Sequence, residues 1–148
     1  MRIVRPEAGH REEWDRLYAA YAEFYNVPQS RPMRDRVWAW IHDPVHELQA
    51  FVALDDPDRV IGLAHFRAFA RPLSATMGGF LDDLFVEPAA RGSGAAPALI
   101  TAVAEEGRRN GWSMIRWITA EDNYRARAVY DRLADRTAWV IYDLKLGV

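Results

Sequence analysis

Residues 80–100, FLDDLFVEPAARGSGAAPALI, decide how this chain is read. An apolar run with two embedded acids, 81–86, has strand character. Glu87-Pro88 turns the chain, an arginine follows at 91, and Gly92-Ser93-Gly94-Ala95-Ala96 leads into a helical pattern. A loop of small residues at a helix start presents unpaired backbone N–H groups at the positive end of the helix dipole. Such a junction suits phosphate oxygens. Strand, small-residue loop and helix in that order predict a βα unit in an α/β or α+β fold.

Ile3-Val4 reads as a short first strand before Pro6. Trp14, Leu17, Tyr18, Tyr21, Phe24 and Tyr25 lie on a helical stripe over about 8–25. Ser30 is placed to cap a second helix, with Pro32 in its first turn and Asp43-Pro44 at its end. The period then changes to that of strands over 48–54 and 60–70, which form a hairpin around Asp55-Asp56-Pro57-Asp58. After the third helix (about 94–110) come a strand at 113–119, a helix at 124–134 and a last strand at 138–146. The predicted order is βααβββαβαβ: a mixed, mostly antiparallel central sheet flanked by helices.

The chain has 148 residues, half of them apolar and 12% aromatic, which supports one packed domain over 1–148. A formal charge of −2 supplies no whole-molecule attraction for nucleic acid or anionic membrane. The absence of cysteine excludes disulfides, thiolate metal sites and a cysteine acyl-enzyme. The first residues show no apolar signal region and no run reaches spanning length, so the expected location is the cytoplasm, without membrane partners.

Three phosphate motifs compete for the loop. A P-loop requires a lysine and a hydroxyl after its last glycine, where Ala95-Ala96-Pro97 stands. A dinucleotide fingerprint requires a third small residue where Pro97 stands, and an early βαβ setting. The remaining pattern is Arg91-x-x-Gly94-x-Ala96 directly after a strand. On these residues the chain resembles the GNAT superfamily of acetyl-CoA-dependent N-acetyltransferases, whose signature is Arg/Gln-x-x-Gly-x-Gly/Ala. The resemblance implies that Arg91, Gly92, Ser93, Gly94, Ala95 and Ala96 hold the CoA pyrophosphate, and that Leu84, Phe85 and Val86 run beside the pantetheine.

A second segment strengthens the resemblance. Asn123, Ala126 and Tyr130 match the family's Asn-x-x-Ala-x-x-x-Tyr. By that match Asn123 lies near the CoA arm, and Tyr130 is the general acid toward the departing thiolate. The family's direct attack of an amine on the thioester, in a ternary complex, accords with a chain that offers no nucleophile motif. An alkyl ammonium must lose a proton before it attacks. Asp82 and Asp83 are the candidates to collect it, although in a regular strand only one of them faces the cleft. The stretch 81–86 resembles that of diamine N-acetyltransferases, which makes Asp82 the first choice and Asp83 the second. Family members commonly carry a bulge here.

The resemblance also implies a primary amine acceptor, small molecule or peptide, with Tyr21, Glu23 and Tyr25 on the substrate wall. The chain departs from the family after the Tyr130 helix, where Leu133-Ala134-Asp135-Arg136-Thr137-Ala138-Trp139 replaces the usual Leu-Gly-Phe. Trp139, Val140 and Tyr142 on the last strand point to pairing with a second copy, a homodimer. His42 and His46 are interrupted by Asp43-Pro44, with His10 and His65 scattered, so no metal is expected and these read as surface or packing histidines. The alternative to an enzyme is a non-catalytic acyl-CoA sensor of the same fold.

Overall fold

The computed structural model describes all residues, Met1–Val148. Residues Met1–Ile118 form one compact unit and Thr119–Val148 a second. In the first, β1 (Arg2–Val4) precedes α1 (Arg11–Phe24) and α2 (Arg31–His42). The strands β2 (Gln49–Asp55), β3 (Arg59–Arg71) and β4 (Thr76–Val86) follow, then α3 (Ala95–Arg109) and a short β5 (Ile115–Arg116). The five strands lie in sequence order in one sheet, antiparallel except for the parallel pair β4 and β5. A parallel neighbour needs a crossover, and α3 supplies it.

Strand alternation sorts the core into two layers. Val52, Leu54, Leu63 and Phe85 pack with Trp14 and Leu17 of α1, and Val37, Trp38 and Ile41 of α2 close the layer. Trp14, Leu17, Val52 and Leu63 are fully buried, each burial contributing about 1.5–3 kcal/mol. One residue along β3, the other face meets α3: a Cβ on Gly62 would stand 3.1 Å from Leu99 Cδ1. Helix α2 begins as its cap predicts, with Ser30 Oγ accepting from the Met33 amide at 3.4 Å and Asp43 at its C-terminus. At Gly79 a Cβ would lie 2.5 Å from two Trp112 ring atoms, so only glycine lets the indole close over the β4–β5 junction.

In the second unit, α4 (Tyr124–Leu133) starts at Asn123, whose Oδ1 accepts from the Ala126 amide at 3.4 Å. The expected last strand, 138–146, is not formed, and 134–148 carries neither helix nor strand. The order is therefore βααβββαβα. Alternation alone gives a segment strand propensity, but a strand exists only where its backbone finds a ladder partner, and this segment has none within the chain. The expected 113–119 strand shrinks to Ile115–Arg116 for the same reason: pairing with β4 stops after Phe80.

Candidate active site

The register of β3 against β4 slips at one point. His65 pairs with Asp83 and Phe66 with Leu81, which leaves Asp82 as an extra residue on β4. This β-bulge breaks the alternation that allows only one aspartate on a face. Asp82 accepts from Arg67 Nε at 3.2 and 3.1 Å. Asp83 Oδ2 lies 2.8 Å from His65 Nδ1. His65 and Arg67 are two residues apart and so share a face of β3. Both acids therefore work on the side covered by α1.

Their surroundings push them in opposite directions. Burial raises the Asp82 carboxyl above its usual range, and the Arg67 guanidinium offsets this only in part. Burial also opposes charge on Asp83, but its interactions with His65 first, then with Tyr18 and Tyr21, outweigh it and hold that carboxyl below its usual range. The Tyr18 hydroxyl donates to Asp83 Oδ2 at 2.9 Å. Burial, followed by the charge of Asp83, drives the Tyr18 phenol upward, so it remains a donor. Two adjacent carboxylates are thus separated into one that accepts a proton more readily and one that stays ionised.

From Asp83 an aromatic path leads toward the loop. Tyr21 stacks with Tyr18 at 6.1 Å between centroids and meets Phe85 at 5.5 Å. Arg91 lies over Phe85 at 6.0 Å and over Phe24 at 5.7 Å. Tyr25 packs edge-on against Tyr21 at 5.1 Å, whereas Glu23 is exposed on α1. Of the expected substrate wall, Tyr21 touches the acid site directly and Tyr25 reaches it through Tyr21.

The loop has the features that a diphosphate requires. Gly92 and Gly94 take φ of +85° and +88°, a region glycine enters without strain, and open space surrounds both. Helix α3 begins at Ala95 with no side-chain cap on Gly94 and no acid in its first turn. Its first amides and positive dipole end are left for an anion. Beyond Phe80 the β5 side of β4 has no ladder partner, so Leu84, Phe85 and Val86 keep one edge open. These residues fit CoA: amides for the diphosphate and an unpaired strand edge for the pantetheine amides.

The family model described as Acetyltransferase (GNAT) family matches residues 14–134. The chain belongs to the GNAT family. A D-amino-acid N-acetyltransferase of Saccharomyces cerevisiae is 26% identical over 132 residues, spanning 88% of this chain and 82% of the yeast protein. The crystal structure of a probable acetyltransferase superposes with TM-score 0.85 at 25% identity, covering 100% of this chain and 98% of that one. An aminoglycoside N-acetyltransferase in complex with CoA superposes with TM-score 0.82, covering 98% of this chain and 94% of the other. At 23% identity, that last likeness speaks to the fold alone. As in its relatives, the GNAT chain has a mixed α/β architecture with a mostly antiparallel sheet. No helix is long and apolar enough to cross a membrane.

The remaining motif residues of this GNAT chain lie on α4. Tyr130 is half-buried, one turn after half-buried Ala126, and Asn123 serves as the cap of that helix. Three participants in the Asp83 site escaped the sequence reading. His65 is fully buried beside Asp83 and not a surface residue, and Trp14 and Tyr18 belong to the acid site as well as to the core. The available signal was a histidine in the middle of the apolar run Val60-Ile61-Gly62-Leu63-Ala64-His65-Phe66. A polar ring there must find hydrogen-bond partners.

Proposed function

We propose that this GNAT protein transfers an acetyl group from acetyl-CoA to a primary amine by direct attack within a ternary complex. The observation that carries the reading is the pair of oppositely shifted acids on the β4 bulge, joined by Tyr21, Phe85 and Arg91 to an uncapped helix start. In this scheme the amides of 92 and 94–96, free of backbone acceptors, bind the diphosphate and Arg91 flanks it. A β4 amide beside 84–86 stabilises the oxyanion. Asp82, its carboxyl raised by burial, collects the proton of the amine, directly or through water. Asp83 remains ionised and balances the ammonium charge. Tyr130 protonates the departing thiolate; its motif match and half-buried place on α4 support that role.

The acceptor proposed is a small or peptidic cationic amine. The yeast relative is an N-acetyltransferase of D-amino acids, which offer such an amine. We also propose a homodimer, supported by Trp139, Val140 and Tyr142, which are 85%, 73% and 90% exposed. Release of thiol from acetyl-CoA across a panel of primary amines tests the function. Amine-dependent turnover is expected. Stabilisation by CoA with no turnover for any amine would instead establish a sensor.

A further inference from the structure

The Asp83 site rests on a buried assembly. His65 is fully buried, with Nδ1 2.8 Å from Asp83 Oδ2 and Nε2 3.0 Å from the Trp14 indole nitrogen. An indole N–H only donates, so Nε2 of His65 must present its lone pair. A neutral imidazole then carries its single proton on Nδ1 and donates it to Asp83. Trp14 itself is fully buried between α1 and the sheet, so its donor has no solvent alternative.

We infer that Trp14 locks His65 in the Nδ1–H tautomer, making His65 a positioning residue that aims an uncancelled Asp83 carboxylate at the cationic substrate. Charge bookkeeping around the site supports this. From β3 the facing groups are His65 and Arg67, from α1 Tyr18 and Tyr21, and from β4 Asp82. Arg67 is taken by Asp82, and with Nε2 acting as acceptor the His65 ring meets Asp83, like the Tyr18 hydroxyl, as a neutral donor. One negative charge is left over on a half-buried carboxylate, held in place from three directions. The Trp14 N–H occupies Nε2, so in this arrangement the ring turns only Nδ1–H toward that carboxylate. The aiming at substrate rests on the acetyltransfer reading above; the tautomer lock does not.

The test has two independent readouts. In the intact wild-type protein, ¹⁵N NMR of the His65 ring near neutral pH is expected to show a protonated Nδ1 and an unprotonated Nε2. An Nε2–H tautomer or a doubly protonated ring overturns the lock. Kinetically, His65→Ala is expected to raise the KM for the amine about tenfold while leaving the KM for acetyl-CoA within twofold. His65→Asn, whose amide keeps a donor near the Nδ1 position, is expected to recover part of that loss. An unchanged amine KM in folded His65→Ala overturns the positioning role. Absence of turnover with every amine in the wild type would refute the acetyltransfer reading, and with it the aiming at substrate, while the NMR result still decides the lock.

Discussion

Replacing Asp83 by asparagine tests the division of labour between the two acids. The carboxylate accepts from His65, Tyr18 and Tyr21 and has no guanidinium partner. In Asp83→Asn the amide would keep one acceptor oxygen and bring two N–H donors into a site already crowded with donors. Hydrogen bonds to a charged group are worth about 1.5–3 kcal/mol, so losing the contact to an ammonium costs about 10- to 150-fold in kcat/KM for the amine. The loss should fall mainly on the amine KM. Stability should also drop by about 1–3 kcal/mol, because buried donors lose their acceptor. Steady-state kinetics with amine and acetyl-CoA varied separately, beside a thermal melt, reads both effects. A folded variant with an unchanged amine KM, or with the loss confined to acetyl-CoA, refutes the assignment of Asp83 to the cation.

Asp82→Asn should lower kcat and flatten the acidic limb of the pH–rate profile; an unchanged limb assigns proton collection elsewhere. Its stability sign is opposite to that of a normal salt-bridged acid. A carboxyl raised in the folded state penalises folding once ionised, so the penalty is absent at pH values below its unfolded pKa and grows as pH rises through its folded one. Denaturation across pH should therefore show Asp82→Asn gaining on the wild type as pH rises toward neutrality. Ala96→Glu places a carboxylate in the first turn of α3 and should weaken CoA binding at least tenfold by calorimetry; unchanged affinity removes the loop from the site. Tyr130→Phe should depress kcat by about 10²-fold or more with CoA affinity retained, and equal activity would end its acid role. Gly79→Ala drives a Cβ into Trp112 and should cost about 1–3 kcal/mol in a chemical melt; a neutral result contradicts the packing of the β4–β5 junction.

The parts of the fold legible in the sequence are those whose signals are local. Ser30 and Pro32 mark the start of α2, Asp43 its end, and the period change after 48 marks the hairpin. The loop at 91–96 is legible because glycine and a helix start are read within six residues. What stays hidden depends on contacts distant in sequence. The bulge at Asp82 arises from pairing with β3, and no pattern within 81–86 shows which residue the ladder skips. His65 reads as a packing residue because its partners, Trp14 and Asp83, stand 51 and 18 positions away. The 138–146 segment fails for the converse reason: its alternation is visible, but strand formation needs a partner that the chain does not provide.

Hydrogen–deuterium exchange of the wild-type protein with and without CoA addresses the account at its base. The amides of 92 and 94–96, open at the start of α3, should exchange rapidly in the free protein and become protected on saturation, together with the β4 edge at 84–86. Failure of CoA to bind, or protection elsewhere with 92–96 unaltered, would contradict the assignment of this loop as the phosphate site.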